Sequence, residues 1–487
     1  MKLYILTEGF SYTGYGHITR CLAIANKLSQ FHISVSFLVN GDANVLSMLS
    51  DFPVEPIAWQ EDYVALHAQL KTADILLIDS YLAAKEVYDF LQSVVPFCIY
   101  LDDFNRLDYP PGIVVNGTVG AESLPYKGGD NHKYLLGKDF VILREEFKKC
   151  PGKNISPEIT SVLITFGGTD PLNVTARVLK ILVESFPEWE KRVVMGAAFK
   201  DHKTVEWLAD KQTKLYTNVN SVQMRDLMLS SDIAISAAGQ TINELAATGL
   251  PSVIYKVADN QSNNIAGWQH YGFVETYIDA LGKWDDMDLV NALRSLCPEE
   301  KRRSLSECGQ MLMDACGVDR LVKKSLSYYA IANMQMALAR ESDAKALFDL
   351  ANDPLVRQNS FSTRPILWNE HIAWLRGVLA DPSRRLFVFV LKNKLVGQVR
   401  MDAIESDWRE SVVSISLDSR FRGWGLAPVL LQKSIREIKG MHASCHRVYA
   451  YIKESNVASR KAFERAGFEP LESDREDALK YQYVYGK

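Results

Sequence analysis

The chain is predicted to be an α/β protein built from two successive Rossmann-like domains and a smaller α+β domain. Three observations predict this. Over the first two thirds of its 487 residues, short apolar runs rich in β-branched and aromatic residues alternate with helical patterns, which is the grammar of parallel βα units. A polar stretch at 150–157, carrying Pro and Gly, interrupts the alternation, and a second series of runs begins after it. From about residue 337 helices precede several adjacent strands, a pattern that suits a small α+β domain.

The elements follow in order. In the first domain, residues 1–150, apolar runs predict strands at 3–7, 34–39, 75–79, 97–101 and 113–115. In the second, residues 151–330, they predict strands at 161–166, 191–195, 233–236 and 252–255, closed by a charge-rich helical stretch at 285–332. In the third, residues 335–487, helices are expected at 343–352 and 368–379, then strands at 387–392, 395–401 and 411–417. A glycine-rich loop leads into a helix at 427–439, followed by a strand at 446–452, a helix at 458–466 and a strand at 481–485. In sheets of the Rossmann kind, ligands bind beyond the carboxyl ends of the strands, so chemistry is sought there.

Composition narrows the function classes. With 47% hydrophobic and 23% charged residues the chain reads as globular, and a net charge of −4 gives no reason to expect nucleic acid or an anionic membrane as partner. No apolar run approaches the ~20 residues of a membrane span, and the N-terminus reads as a buried strand rather than a signal peptide. Seven cysteines without CxxC spacing predict free thiols in a reducing, cytoplasmic setting. The Asp-x-Asp at Asp286 and Asp288 opens a predicted helix, where acids suit the dipole, so no metal is expected.

Gly14, Tyr15, Gly16 and His17 follow the first strand. Two glycines permit a tight turn and close backbone approach to a ligand, and the helix that follows directs its first amides into the cleft. His17 there either acts as a general base or hydrogen-bonds a loop carbonyl. In the second domain, Ser236 to Thr241 follow a strand and open a helix that carries Asn243 and Glu244. Its amides suit a pyrophosphate and Glu244 suits ribose hydroxyls, the competing role being a small-residue turn that packs helix on sheet. Asp259, Asn260, Gln261, Asn263 and Asn264 form an amide-rich loop suited to sugar recognition or to helix capping.

Together these segments, with Asp79-Ser80-Tyr81, Leu101-Asp102-Asp103, Leu143 to Phe147 and Thr165 to Pro171, resemble the pseudaminic-acid pathway UDP-sugar hydrolases. Those are relatives of the MurG-like glycosyltransferases of GT-B fold. The resemblance covers about residues 1–325 and departs from the family's usual Ser at Gln240. It implies a GT-B arrangement of the two Rossmann-like domains and release of UDP from a 2,4-diacetamido-2,4,6-trideoxy-altropyranose. His17 would activate water, so activity should fall as His17 protonates. Gly14, Gly16, Arg20, Asp79, Tyr81, Gly239, Thr241, Glu244, Asn260 and Gln261 would surround the substrate. Asp79, Tyr81 and Asp103 are placed near the sugar, or else cap helices and line the cleft.

In the third domain, Arg420, Arg422, Gly423 and Gly425 lie between the strand ending at Leu417 and a helix. The glycines open backbone amides to an anion and the arginines add charge. Asn456, Ser459, Phe463 and Gly467 follow in a second motif, readable as an N-capped helix with a glycine stop. The two motifs in this order resemble the GNAT superfamily of acetyl-CoA-dependent N-acetyltransferases, over about residues 335–487. The resemblance implies acetyl-CoA as co-substrate, bound by Leu417, Arg420, Arg422, Gly423, Gly425, Asn456 and Ser459. Many relatives carry Tyr where Phe463 stands, leaving Tyr449, Tyr451 or water to protonate the thiolate; Glu410 either deprotonates the amine or is an exposed strand-end acid.

The two resemblances share one substrate. They imply a bifunctional enzyme that acetylates the 4-amino group of a UDP-4-amino-4,6-dideoxy-N-acetyl-altrosamine and then releases UDP. Its partners would be a small-molecule nucleotide sugar and acetyl-CoA. The alternative is a GT-B glycosyltransferase with a separate or inactive acyl-CoA-binding module.

Overall fold

A computed structural model describes residues 1–10, 15–168, 170, 172–196, 199–405 and 407–486. These divide into two compact units, Met1–Val322 and Lys323–Lys487.

The first unit contains two parallel sheets. The first sheet comprises β1 (Lys2–Gly9), β2 (Ser34–Gly41), β3 (Val54–Pro56), β4 (Ile75–Asp79), β5 (Cys98–Leu101), β6 (Ile113–Asn116) and β7 (Lys133–Leu136), in the order β3-β2-β1-β4-β5-β6-β7. The second comprises β8 (Ser161–Thr165), β9 (Glu190–Met195), β10 (Thr213–Thr217), β11 (Ile233–Ala237), β12 (Ser252–Lys256) and β13 (Tyr277–Asp279), in the order β10-β9-β8-β11-β12-β13. Helices cover both faces of such sheets, so central strands are apolar along their whole length. β8 shows this: Val162 and Ile164 join one core and Leu163 another, on opposite faces.

Strand order reverses between β1 and β4 and again between β8 and β11. Crevices at such switch points, beyond the strand carboxyl ends, are where α/β sheets take ligands. The helix α1 (Gly16–Gln30) follows β1, and Ile18, Cys21, Ile24, Ala25 and Leu28 form its buried stripe. The helix α2 (Thr241–Thr248) follows β11.

The halves of this unit are closely joined. A Cβ at Gly267 would lie 1.9 Å from the Val119 carbonyl oxygen, so only glycine admits that approach. Asp319, near the start of the helix Gly317–Asn333, accepts Lys27 of α1 and Lys148 in ion pairs of 2.5 Å each. The helical stretch expected at 285–332 is three helices, Asp286–Ser295, Glu299–Leu312 and Gly317–Asn333.

The second unit is a mixed sheet: β14 (Gln335–Leu338), β15 (Arg384–Leu391), β16 (Lys394–Ile404), β17 (Asp407–Leu417), β18 (Arg447–Ile452), β19 (Glu469–Leu471) and β20 (Leu479–Val484), ordered β14-β15-β16-β17-β18-β20-β19. Helices α3 (Ala344–Ala351) and α4 (Trp368–Ala380) bury Leu347, Leu350, Leu375 and Val378 against Leu386 and Val388 of β15. The helix α5 (Ala427–Met441) follows the glycine loop, and α6 (Val457–Arg465) follows β18. One pairing is parallel, β17 with β18, and it spans only Glu410–Val412 against Arg447–Tyr449. Beyond Val412 the two strands part, leaving facing backbone edges without a ladder between them.

Candidate active sites

In the first unit a cavity of about 590 Å³ is lined from both sheets, by Gly16, His17, Arg20 and Tyr81 on one side and Gly239, Thr241, Glu244, Asn260 and Gln261 on the other. Gly14, expected in the same turn, lies outside the described residues, as do Thr13, Thr169 and Pro171 of the quoted motifs. The backbone at Gly16 does not demand glycine: it opens α1 in ordinary helical geometry, and a Cβ there would meet open space.

His17 and Arg20 stand three residues apart on α1 and so share a helix face. That face meets the carboxyl end of β4. His17 Nδ1 is 2.6 Å from Asp79 Oδ1, Arg20 Nε donates to Asp79 Oδ2 at 2.6 Å, and Arg20 Nη1 donates to both Asp103 oxygens at 2.7 and 2.8 Å. Burial by itself raises the Asp79 carboxyl, but the Arg20 guanidinium and His17 outweigh it and hold the group well below the usual carboxylate range. Asp79 is therefore an ionised acceptor, which in the neutral imidazole favours the hydrogen on His17 Nδ1 and the lone pair on Nε2.

Asp79 was expected beside the substrate; it is wholly buried beneath His17 and is not among the residues that line the cavity, a place from which a carboxylate can orient the histidine. Replacing it should show this. Asp79→Asn presents an amide where Nδ1–H needs an acceptor and favours the wrong tautomer, so kcat for any His17-dependent step should fall by about 10²–10⁴-fold. Turnover measured on folded protein checks this, and unchanged kcat would refute the dyad.

Tyr81 borders the cavity, its ring set edge-on to His17 at 4.4 Å and its hydroxyl donating to Asp103. Burial, then the Asp103 charge, pushes this phenol above its ordinary range. Glu8, which sequence reasoning passed over, holds the 80–82 turn in place. Buried at the end of β1, it accepts from Tyr81 N at 2.7 Å, Leu82 N at 3.1 Å, Gln60 Nε2 at 2.6 Å and the Ser80 hydroxyl. The available signal was a carboxylate at the end of a first strand whose run Leu3–Leu6 is apolar.

Across the cavity, Gly239 and Thr241 stand at the turn into α2, and a Cβ on Gly239 would come no closer than 3.9 Å to a neighbour. Gln240 donates its amide to the Ile142 carbonyl, across from the first half. Asn264 bonds the Ala238 carbonyl at 2.9 Å, and Gln261 accepts from Val257 N at 2.9 Å; these amides hold the turn and its neighbour loop. Asn260 is exposed on the cavity rim. Glu244 is buried and pairs with Arg144 Nη2 at 2.7 Å. Burial raises its carboxyl, against the opposing pull of Arg144.

In the second unit, Gly423 and Gly425 adopt φ of +81° and +75°, the left-handed region that favours glycine. They form the turn between β17 and α5. Arg420 and Arg422, expected to add charge to this turn, are instead neutralised locally. Arg420 Nε donates to Asp418 at 2.7 Å; Arg422 Nη2 donates to Asp353 at 2.7 Å and its Nε to the Leu417 carbonyl at 3.1 Å. What the turn itself can offer an anion is thus its backbone amides. Asn456 caps α6 by accepting from Ser459 N at 3.1 Å.

Phe463 is buried edge-on against Phe468 and carries no donor. Of the two tyrosines considered in its place, Tyr451 bonds exposed Asp474, whereas Tyr449, at the last rung of the β17–β18 ladder, donates back to Glu410 of the first rung at 3.1 Å. Arg447 reaches the same Tyr449 oxygen at 3.1 Å. Glu410 is thus a partnered, half-buried acid rather than a bare strand end.

Asp285 caps the helix Asp286–Ser295 in a reciprocal box with Asp288, and Asp286 pairs with Arg177 at 2.6 Å. Among the described residues no group of three or more His, Cys, Asp or Glu side chains is placed to hold a metal, and no helix is long and apolar enough to cross a membrane. The seven cysteines are free thiols.

Comparison with known proteins defines the class of the second unit first. Residues 335–469 match the family model of the acetyltransferase (GNAT) domain, and the unit carries such a domain. It is similar to the solved spermidine N-acetyltransferase from Vibrio cholerae, with 18% identity and a TM-score of 0.29 over 32% of this chain and 98% of that one.

Over 99% of both lengths the chain is 25% identical to an uncharacterised protein of Methanocaldococcus jannaschii. It is 24% identical, over 58% of its length, to the pseudaminic acid cytidylyltransferase and UDP-2,4-diacetamido-2,4,6-trideoxy-beta-L-altropyranose hydrolase of Helicobacter pylori, spanning half of that protein. It is likewise 24% identical to a spore coat polysaccharide biosynthesis protein of Bacillus subtilis, over 66% of this chain and 96% of that one.

Proposed function

We propose that the chain is a bifunctional enzyme of surface-sugar biosynthesis. Its second unit acetylates the 4-amino group of a UDP-4-amino-4,6-dideoxy-N-acetyl-altrosamine. Its first unit then hydrolyses the product to UDP and free 2,4-diacetamido-2,4,6-trideoxy-altropyranose. The observation that carries the hydrolase half is the His17–Asp79 pair, whose histidine lines a cavity that the glycine turn before α2 also lines. The acetyltransferase domain at 335–469 carries the other half. The similarity to the Helicobacter and Bacillus proteins supports the sugar class.

In this reading residues 1–150 and 151–330 form the two lobes of a GT-B arrangement, and 335–487 the acetyltransferase. The sugar lies by His17, Arg20 and Tyr81, while the diphosphate meets the amides of Gly239 and Thr241 at the start of α2, a favourable place for an anion. Glu244 takes the ribose hydroxyls, and Asn260 and Gln261 border the sugar. His17 Nε2 removes a proton from water as the oxygen attacks the anomeric carbon. In the second unit acetyl-CoA enters where β17 and β18 part, its pyrophosphate on the Gly423–Gly425 turn and its arm near Asn456 and Ser459. Tyr449 and Glu410 handle the protons that Phe463 cannot.

The test is release of CoA and of UDP from UDP-4-amino-4,6-dideoxy-N-acetyl-altrosamine, with and without acetyl-CoA, with products weighed by mass spectrometry. Release of both only when acetyl-CoA is present is expected. Accumulation of acetylated UDP-sugar without UDP would refute the hydrolase half and favour a glycosyltransferase awaiting an acceptor. No turnover would refute the sugar assignment.

A further inference from the structure

We infer that Arg144 receives the charge of the departing diphosphate, and that its ion pair with Glu244 is the resting form of that contact. The inference rests on the nucleotide-sugar reading of the cavity. When water adds to the anomeric carbon, the bond from that carbon to the diphosphate oxygen breaks. Its electron pair stays on that oxygen, and the proton leaves water for His17. The diphosphate therefore becomes more negative as it departs, and the rate depends on what faces it.

The cavity is poor in positive charge. Among the described residues that line it, Arg20 and Arg144 are the only lysines or arginines, against Asp102, Asp103 and Glu244. Arg20 is committed: Asp79 and Asp103 engage it on both sides, at 2.6 to 2.8 Å. Both arginines are paired, so a diphosphate added to this lining finds a guanidinium only if one of them turns to it, and Arg144, with Glu244 as its one carboxylate among the described residues, has fewer bonds to exchange than Arg20.

Arg144 is placed to answer. Its Nε and Nη2 bond one oxygen of Glu244, at 3.2 and 2.7 Å, and its Nη1 makes no hydrogen bond among the described residues. Its guanidinium lies over the Phe147 ring at 5.3 Å. Glu244 belongs to the first turn of α2, directly after the amides of Gly239 and Thr241. The segment bearing Arg144 is tied to the same turn a second time, since Gln240 bonds the Ile142 carbonyl. A side-chain rotation therefore carries the guanidinium from Glu244 to an anion on those amides. Ribose hydroxyls would supply Glu244 with donors in exchange, so the buried carboxylate is satisfied both before and after.

The experiment compares UDP with uridine, binding each to the full chain by calorimetry. Removing Arg144 alone would strand a buried carboxylate, so the informative pair is Glu244→Gln and the double variant Arg144→Gln/Glu244→Gln. The ratio of UDP to uridine affinity cancels the ribose contact. We expect wild type and Glu244→Gln to keep a strong preference for UDP, and the double variant to lose about tenfold or more of it. Arg144→Lys should retain part. An equal ratio in the single and double variants would overturn the role of Arg144 and leave the nucleotide-sugar reading standing. A wild type that binds UDP no better than uridine would overturn both.

Discussion

His17→Ala is expected to lower UDP release by about 10²–10⁴-fold, the usual worth of a positioned general base, and to leave CoA release unchanged. The first half of this expectation follows from geometry. His17 stands at the cavity wall with Nδ1 anchored 2.6 Å from Asp79, which leaves Nε2 as the nitrogen for the proposed base. The substitution removes that base and leaves Asp79 buried with Arg20 as its partner at 2.6 Å, so the local fold keeps its charge balance. The second half follows from folding: the residues of the acetyltransferase domain lie in a unit with its own sheet and core. Both activities are read from one preparation, UDP by a coupled assay and CoA by thiol titration. Loss of both in a folded variant would end the model of two independent sites, and full retention of UDP release would end the role of His17.

Gly423→Glu should produce the mirror image, abolishing CoA release while UDP release from pre-acetylated substrate persists. Two effects add. The residue sits at φ +81°, where a side chain costs about 1–2 kcal/mol, and the new carboxylate occupies the turn proposed to cradle a pyrophosphate. Like-charge juxtaposition costs several kcal/mol, which is about two decades or more in affinity. Because Asp418 and Asp353 already neutralise Arg420 and Arg422, neither arginine of the turn is free to absorb the added charge. Circular dichroism and intact UDP release would show that the chain remains folded. Normal CoA release in Gly423→Glu would move the acyl-CoA site away from this turn.

The strands that sequence reading found and those it passed over differ in one physical respect. Each strand anticipated, from β1 and β4 to β17 and β20, lies inside its sheet. Those passed over, β3, β7, β10, β13, β14 and β19, are the two edge strands of each of the three sheets. An interior strand is paired on both sides and must bury at least one face, along its whole length in the two parallel sheets and at alternate residues in β16 and β17, and either pattern is visible in sequence. An edge strand meets water along one side and tolerates the pattern of Thr213–Thr217 or of Val54–Pro56, the latter with an exposed Glu and Pro.

The site divides in the same way. Turns that need a special backbone are written in the chain itself, since glycine is the residue that accepts the φ of Gly423 and Gly425. The amphipathic stripe that places His17 and Arg20 on one face of α1 is equally local. Roles that depend on which strand lies beside which are not. Asp79 is 62 residues from His17, and it becomes its anchor only because β4 lies next to β1. Glu8 holds Tyr81 across the same pairing, and Arg144 meets Glu244 over 100 residues of chain. By itself, then, the sequence determined the strands of the sheet interiors, the glycine turns and the residue types available for chemistry. The tertiary structure decided which charges neutralise one another and which side chain is left facing the cavity, because Coulomb interaction and burial depend on distance in space, and in a parallel sheet that distance is set by strand order.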